Sequence, residues 1–128
     1  MYIYKCTGAT VDVKGKSKAI ILDSCTKTNL LFDSCISACE VVNGKRVQLQ
    51  CRGLCPSISI DKTDGCLTYL GKEAANETTF VTSKSSEMNV SWPDENDDYH
   101  EKAIPEQVSC ASYFRGKRDV LYLYYFIV

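Results

Sequence analysis

Apolar residues recur along this chain at intervals of 19. Ile3, Leu22, Val41 and Ile60 form one column, and Val13, Phe32, Cys51 and Leu70 a second. Val11, Leu30, Leu49 and the weaker Thr68 form a third, and Ile20, Cys39 and Ile58 a fourth. Inside each unit the apolar residues lie two apart, as in Val11/Val13, Leu30/Phe32 and Ile58/Ile60. An amphipathic helix would need spacings of three and four. Period two within a longer fixed period predicts short strands stacked coil upon coil. Each unit is then one turn of an all-β solenoid. Its inward side chains rest on their equivalents in the next coil, about 4.8 Å away.

A further unit fits with one inserted residue. Phe80, Met88 and Val90 fall 20 after Ile60, Thr68 and Leu70, with the insertion near Gly71-Lys72-Glu73, read as a charged loop. The repeat fades after Trp92-Pro93. Asp94-Glu95-Asn96-Asp97-Asp98 cannot bury anything and reads as solvated. Two apolar runs then flank Arg115-Gly116-Lys117-Arg118, a hairpin turn signal. The second run, Val120 to Val128, needs cover on both faces, because an open apolar edge strand aggregates. The expected organisation is one domain over 1–128. Coils occupy about 1–93, an acidic loop 94–103 and a C-terminal hairpin about 104–128.

Composition narrows the function. A net charge of −1 gives no global attraction to nucleic acid, and no run of basic residues interleaves with aromatics. No apolar stretch reaches membrane-spanning length, so no membrane insertion is expected. Residues 1–20 lack the core of a signal peptide, and the chain starts in mid-repeat, so preceding coils or a covering partner are expected. Eight cysteines are many for 128 residues. Cys39 and Cys51 fall in apolar columns, and Cys6 and Cys25 stack at a corner. Reduced cytosolic thiols acting as small hydrophobes is therefore the preferred reading, and the sequons at Asn76 and Asn89 are chance matches.

The candidate chemical sites are weak. Cys35-x3-Cys39 with Cys51-x3-Cys55 imitates a four-thiolate zinc site. Two of the four point into the core, however, so no metal or cofactor is expected. The single histidine, His100, sits in the acidic stretch and reads as polar surface. Asp12, Asp23, Asp33, Asp61 and Asp64 read as solvent-facing charges. Gln50 and Arg52 point outward together from one strand. Such a pair could orient water and stabilise charge in a GTPase partner. Lys84-Ser85-Ser86-Glu87-Met88-Asn89 has neither a nucleophile–base pair nor phosphate-cradling glycines. It suits a protein contact better than catalysis, and no enzyme activity is expected.

Four stretches carry a resemblance. Tyr2-Ile3-Tyr4-Lys5-Cys6, Ser57-Ile58-Ser59-Ile60-Asp61-Lys62-Thr63-Asp64-Gly65-Cys66, Lys84 to Val90 and Pro105-Glu106-Gln107 occur in order. Together they resemble the C-terminal domain of cyclase-associated protein. The resemblance implies a right-handed parallel β-helix whose C-terminal β-hairpin is exchanged in a homodimer. Val120, Leu121, Tyr122, Leu123, Tyr124, Tyr125 and Phe126 would then form the dimer interface. It also implies binding of monomeric actin, the ADP form preferred, with promotion of nucleotide exchange in the cytoplasm at the actin cytoskeleton. Lys62, Asp64, Lys84, Ser85, Ser86, Glu87 and Asn89 would supply the actin contact. Cys35, Cys39, Cys51 and Cys55 are not the residues typical of that family. Two alternatives stand beside this reading. One is a GTPase-activating domain like tubulin-folding cofactor C, using Arg52. The other is a purely structural dimerisation module.

Overall fold

In the computed structural model, described for residues 1–75, 77–104 and the backbone of 109–115 and 120–126, the chain is almost wholly β. The strands are β1 (Tyr2–Tyr4), β2 (Thr10–Asp23), β3 (Asn29–Val42), β4 (Lys45–Cys51), β5 (Ser57–Asp61) and β6 (Asp64–Leu70). One helical turn, α1 (Lys72–Ala75), follows. Then come β7 (Thr79–Ser83), β8 (Ser86–Pro93), β9 (Tyr99–Ile104), β10 (Ser109–Arg115) and β11 (Val120–Phe126).

The coils form a parallel β-solenoid of about five turns. On one side β1, the second half of β2, the second half of β3, β5 and β7 pair in parallel. On the other, the first halves of β2 and β3 are followed by β4, β6 and β8. The sequence columns are the registers themselves. Ile3 pairs with Leu22, Leu22 with Val41 and Val41 with Ile60. Val13, Phe32, Cys51 and Leu70 pair in series on the opposite side. Both sets of inward residues meet in a single apolar core, in which Ile20, Leu30, Phe32, Cys39, Val41, Leu49, Ile58, Ile60, Phe80 and Val90 have no exposed surface.

The last coil differs from the reading of the sequence. Its offset is 22 and not 20: Phe80 stacks on Ile58, Thr82 on Ile60, Met88 on Cys66 and Val90 on Thr68. A period-two pattern cannot separate two even offsets, because both leave the same residues facing inward. The extra residues sit at the charged stretch, but they form α1 and not an open loop. That turn buries Ala74 and Ala75 and is closed by the Ala75 N–H to the Gly71 carbonyl at 2.9 Å.

The acidic stretch is also shorter than expected. Tyr99–Ile104 forms β9, antiparallel to β8, with Trp92 opposite His100. Asp94 folds the intervening turn, accepting the N–H groups of Asn96 and Asp98 at 2.8 and 2.9 Å. Its other oxygen lies 2.9 Å from His100 Nε2, and the His100 ring stacks on Trp92. These contacts hold the Asp94 carboxyl below its ordinary range. Lys72 on α1 reaches Asp97 at 2.6 Å. The loop is thus pinned at both ends. Beyond it, β10 and β11 form the anticipated antiparallel hairpin, Ser109 opposite Phe126 and Arg115 opposite Val120. In the single chain β10 lies beside β7.

Candidate partner surface at one solenoid corner

Every coil makes one of its turns with the same backbone. Lys5, Ser24, Asn43, Lys62 and Lys84 all have φ between 49° and 55°. Three residues further on, Gly8, Lys27, Arg46, Gly65 and Glu87 are again left-handed. The spacing is 19 in each step and 22 in the last. A left-handed residue reverses the chain within one position, and two of them three apart make a square corner. Serine, asparagine and glycine at several of these positions suit that conformation. The lysines at the other positions are exposed.

The residue after the first left-handed position points inward. These are Cys6, Cys25, Gly44, Thr63 and Ser85. They tie one coil to the next through backbone donors. The Cys6 N–H faces Cys25 Sγ at 3.5 Å, the Gly44 N–H donates to Thr63 Oγ1 at 3.3 Å, and the Thr63 N–H donates to Ser85 Oγ at 3.0 Å. Gly44 carries no side chain because none fits. A Cβ there would lie 2.9 Å from Val47 Cγ2 and 3.2 Å from Val41 Cγ1. Ser85, expected on the surface, is buried instead, and its hydroxyl donates to the Ser83 carbonyl at 2.8 Å. Its place in the inward column is the reason.

The remaining candidates are brought together. Lys62 and Asp64 occupy the fourth corner, and Lys84, Ser86 and Glu87 the fifth, directly adjacent. Ser86 Oγ donates to Asp64 across the coils at 3.0 Å. Lys62, Asp64, Lys84 and Glu87 are exposed. Asn89 stands apart, half-buried on β8 between Leu67 and Ala103. The side chains of Val120 to Phe126 lie outside the described residues.

Sequence reasoning misses the rest of this corner. Lys5, Lys27, Lys45 and Arg46 continue the ridge over the earlier coils, all exposed. With Lys62 and Lys84 they make a basic edge on a chain of net charge −1. No run along the chain signals it, because its members are about one coil apart. The visible clue is the 19-residue spacing of Ser24, Asn43 and Lys62.

The opposite side of the molecule disposes of the other candidates. Arg52 is exposed but tied to two carboxylates. Its Nε lies 2.7 Å from Asp33 and its Nη2 2.5 Å from Asp12, spanning three coils. The guanidinium, together with the Gly15 N–H on Asp33, holds both carboxyls below their ordinary range. Arg52 also walls a cavity of about 510 Å³ with Gln50, Tyr69, Gly71, Ser91 and Tyr99. Asp23, by contrast, lies beside the repeating corner, where it accepts from the Tyr2 and Ser24 hydroxyls. Among the described residues, no group of three or more His, Cys, Asp or Glu could hold a metal ion. No helix among them is long and apolar enough to cross a membrane.

Comparison with known proteins agrees with this architecture. Residues 1–119 match the family described as adenylate cyclase associated (CAP) C terminal. The chain belongs to that family. It is 54% identical over 109 residues to the adenylyl cyclase-associated protein of Dictyostelium discoideum, covering 84% of this chain and 23% of that protein. With adenylyl cyclase-associated protein 1 of Homo sapiens it shares 46% identity over 106 residues, 83% of this chain and 22% of the relative. The chain thus spans less than a quarter of the length of these relatives. The crystal structure of cyclase-associated protein from Cryptosporidium parvum superposes with a TM-score of 0.77 at 31% identity, covering 98% of this chain and 76% of that one.

Proposed function

We propose that this domain binds monomeric actin, preferring the ADP-bound form, and accelerates exchange of its nucleotide in the cytoplasm at the actin cytoskeleton. The observation that carries the reading is the convergence of Lys62, Asp64, Lys84, Ser86 and Glu87 on two neighbouring corners of a family member. The corner offers alternating charge on a stiff backbone, which suits protein recognition. Exchange would follow from differential affinity. A partner bound more tightly with its nucleotide cleft loosened is shifted towards that state, and release speeds up in proportion. Ser85 supports the corner from within, while Asn89 stands apart from it on β8.

The test is a charge reversal. Lys84→Glu with Glu87→Lys should lower affinity for ADP-loaded actin at least tenfold, read with release of a fluorescent nucleotide in the same sample. The far-ultraviolet circular dichroism should stay unchanged. Retained affinity would remove the corner from the reading. Exchange of the hairpin, with Val120 to Phe126 on a partner's coils, is the second part of the proposal. It predicts a dimer in sedimentation equilibrium, and a monomer at all concentrations would exclude it. The GTPase-activating alternative would need Arg52 to leave Asp33 and Asp12, which hold its Nε and Nη2.

A further inference from the structure

The seven cysteines whose side chains are described are free thiols. Most are sealed in the core. Burial pushes Cys51 and Cys66 up to about 12 and Cys39 well above its ordinary value, so these thiols are inert near neutral pH. Cys35 and Cys55 are buried too, but both line a cavity. Cys35 sits where β3 bends, and Cys55 in the turn before β5. The Cys35 N–H donates to the Leu54 carbonyl at 2.9 Å and the Leu54 N–H to Ser34 Oγ at 3.0 Å. The two residues are therefore locked side by side in neighbouring coils. The Cys55 thiol donates to the Ser57 carbonyl oxygen at 3.2 Å and interacts with the Cys35 side chain. Both cysteines line a cavity of about 240 Å³, walled also by Lys16, Ser34, Ile36 and Leu54. Ile36 is 67% exposed, which places this cavity at the molecular surface.

We propose that Cys35 and Cys55 form a peroxide-oxidisable dithiol, Cys35 attacking and Cys55 resolving, which closes to a disulfide stapling adjacent coils. The polarity follows from their contact. The side-chain contact between them holds the Cys35 thiol below its ordinary range, while the same contact and burial raise Cys55. The Cys35 thiolate attacks one oxygen of hydrogen peroxide. An S–O bond forms, the O–O bond breaks, and the departing oxygen takes a proton and leaves as water. Cys55 loses its proton and attacks the sulfenic sulfur. The S–S bond forms, the S–O bond breaks, and the second oxygen leaves as water. Two thiols and one peroxide thus give one disulfide and two waters. The cavity admits a molecule the size of peroxide and no larger oxidant needs to enter.

The experiment uses the whole chain. The folded protein is treated with one equivalent of hydrogen peroxide, the peroxide is removed, and the remaining thiols are alkylated in denaturant. Trypsin cuts at Lys45, Arg46 and Arg52, separating the two cysteines into different peptides. Loss of two of the eight thiols and a cross-linked peptide pair joined through Cys35 and Cys55 is the expected result. Fragmentation distinguishes Cys35 from Cys39 in its peptide. In the Cys55→Ser chain, dimedone should label Cys35, since its sulfenic acid has no resolving partner. A link confined to Cys6 and Cys25, the other stacked pair, or full retention of thiols would overturn the proposal. Dimedone labelling at another cysteine would overturn the assigned polarity.

Discussion

The corner at Lys5 to Gly8 recurs in every coil with the same two left-handed residues, while the opposite corner is built differently each time. There β2 passes through with irregular registers near Lys16 and Ser17, and β3 bends near Cys35. The next coil uses the loop between β4 and β5, and the next inserts α1. The repeating corner is closed by backbone N–H groups donating into the next coil's inward side chains. An added residue would turn every following side chain through the pleat. The variable corner is held by particular side chains instead: Arg52 on Asp12 and Asp33, Lys72 on Asp97, Cys35 beside Cys55. Extra chain length is taken up there, in the last coil by α1, which packs Ala74 and Ala75 into the core. Regularity suits a surface that must present charges in fixed register, and irregularity suits the side that absorbs insertions.

Insertions test this difference most severely. One alanine between Thr63 and Asp64 should unfold the domain, because it moves the following strand's apolar residues to the solvent side and forfeits the bulk of a stability of roughly 5–15 kcal/mol. Two glycines after Gly15, which faces open space, should cost only about 1 kcal/mol. Urea unfolding of the two chains compares them directly. Equal losses would mean that the corners are equally constrained.

Within the repeating corner, Gly44→Val should cost about 1–3 kcal/mol, as its side chain meets Val47 and Val41. Ser85→Ala removes the acceptor of the buried Thr63 N–H and should cost about 1–3 kcal/mol, with no change in net charge. Hydrogen exchange at Thr63 should quicken in that variant. The smallest effect belongs to the variable corner, where exposed ion pairs are screened. Arg52→Ala should lower the melting midpoint less than either corner substitution, and in a pH-dependent way. Asp12 and Asp33 are held below their ordinary value of 3.8, so their contribution is present above that pH and fades as the pH falls through their folded values. The gap between the two chains should therefore be widest near neutrality and close below pH 3.8. A gap independent of pH would mean that Arg52 acts through packing alone.

Much of the fold is legible in the spacing of apolar residues alone. The inward columns from Ile3 to Ile60 and from Val13 to Leu70 are set by apolar content, and burial enforces them. The candidate corner is legible only in part. Lys62, Asp64, Lys84 and Glu87 are local in sequence, two short motifs on adjacent coils. Ser85 is misplaced by such a reading because its hydroxyl says nothing about which way the backbone turns it.

The sequence by itself determined the period, the inward columns of the coil strands from β1 to β6, and the family. All three follow from where apolar side chains recur, and water exclusion reads that pattern directly. Tertiary structure decided the rest. It set the offset of 22 in the last coil, which parity alone leaves open. It set the left-handed corner, a backbone property shared by Lys5, Ser24, Asn43, Lys62 and Lys84 with no common side chain. It also brought Arg52 to Asp12 and Cys35 to Cys55. Such contacts depend on which coil lies above which and on how each bend is made. Neither is encoded in local spacing, because hydrogen bonds and ion pairs form only after packing has fixed both partners.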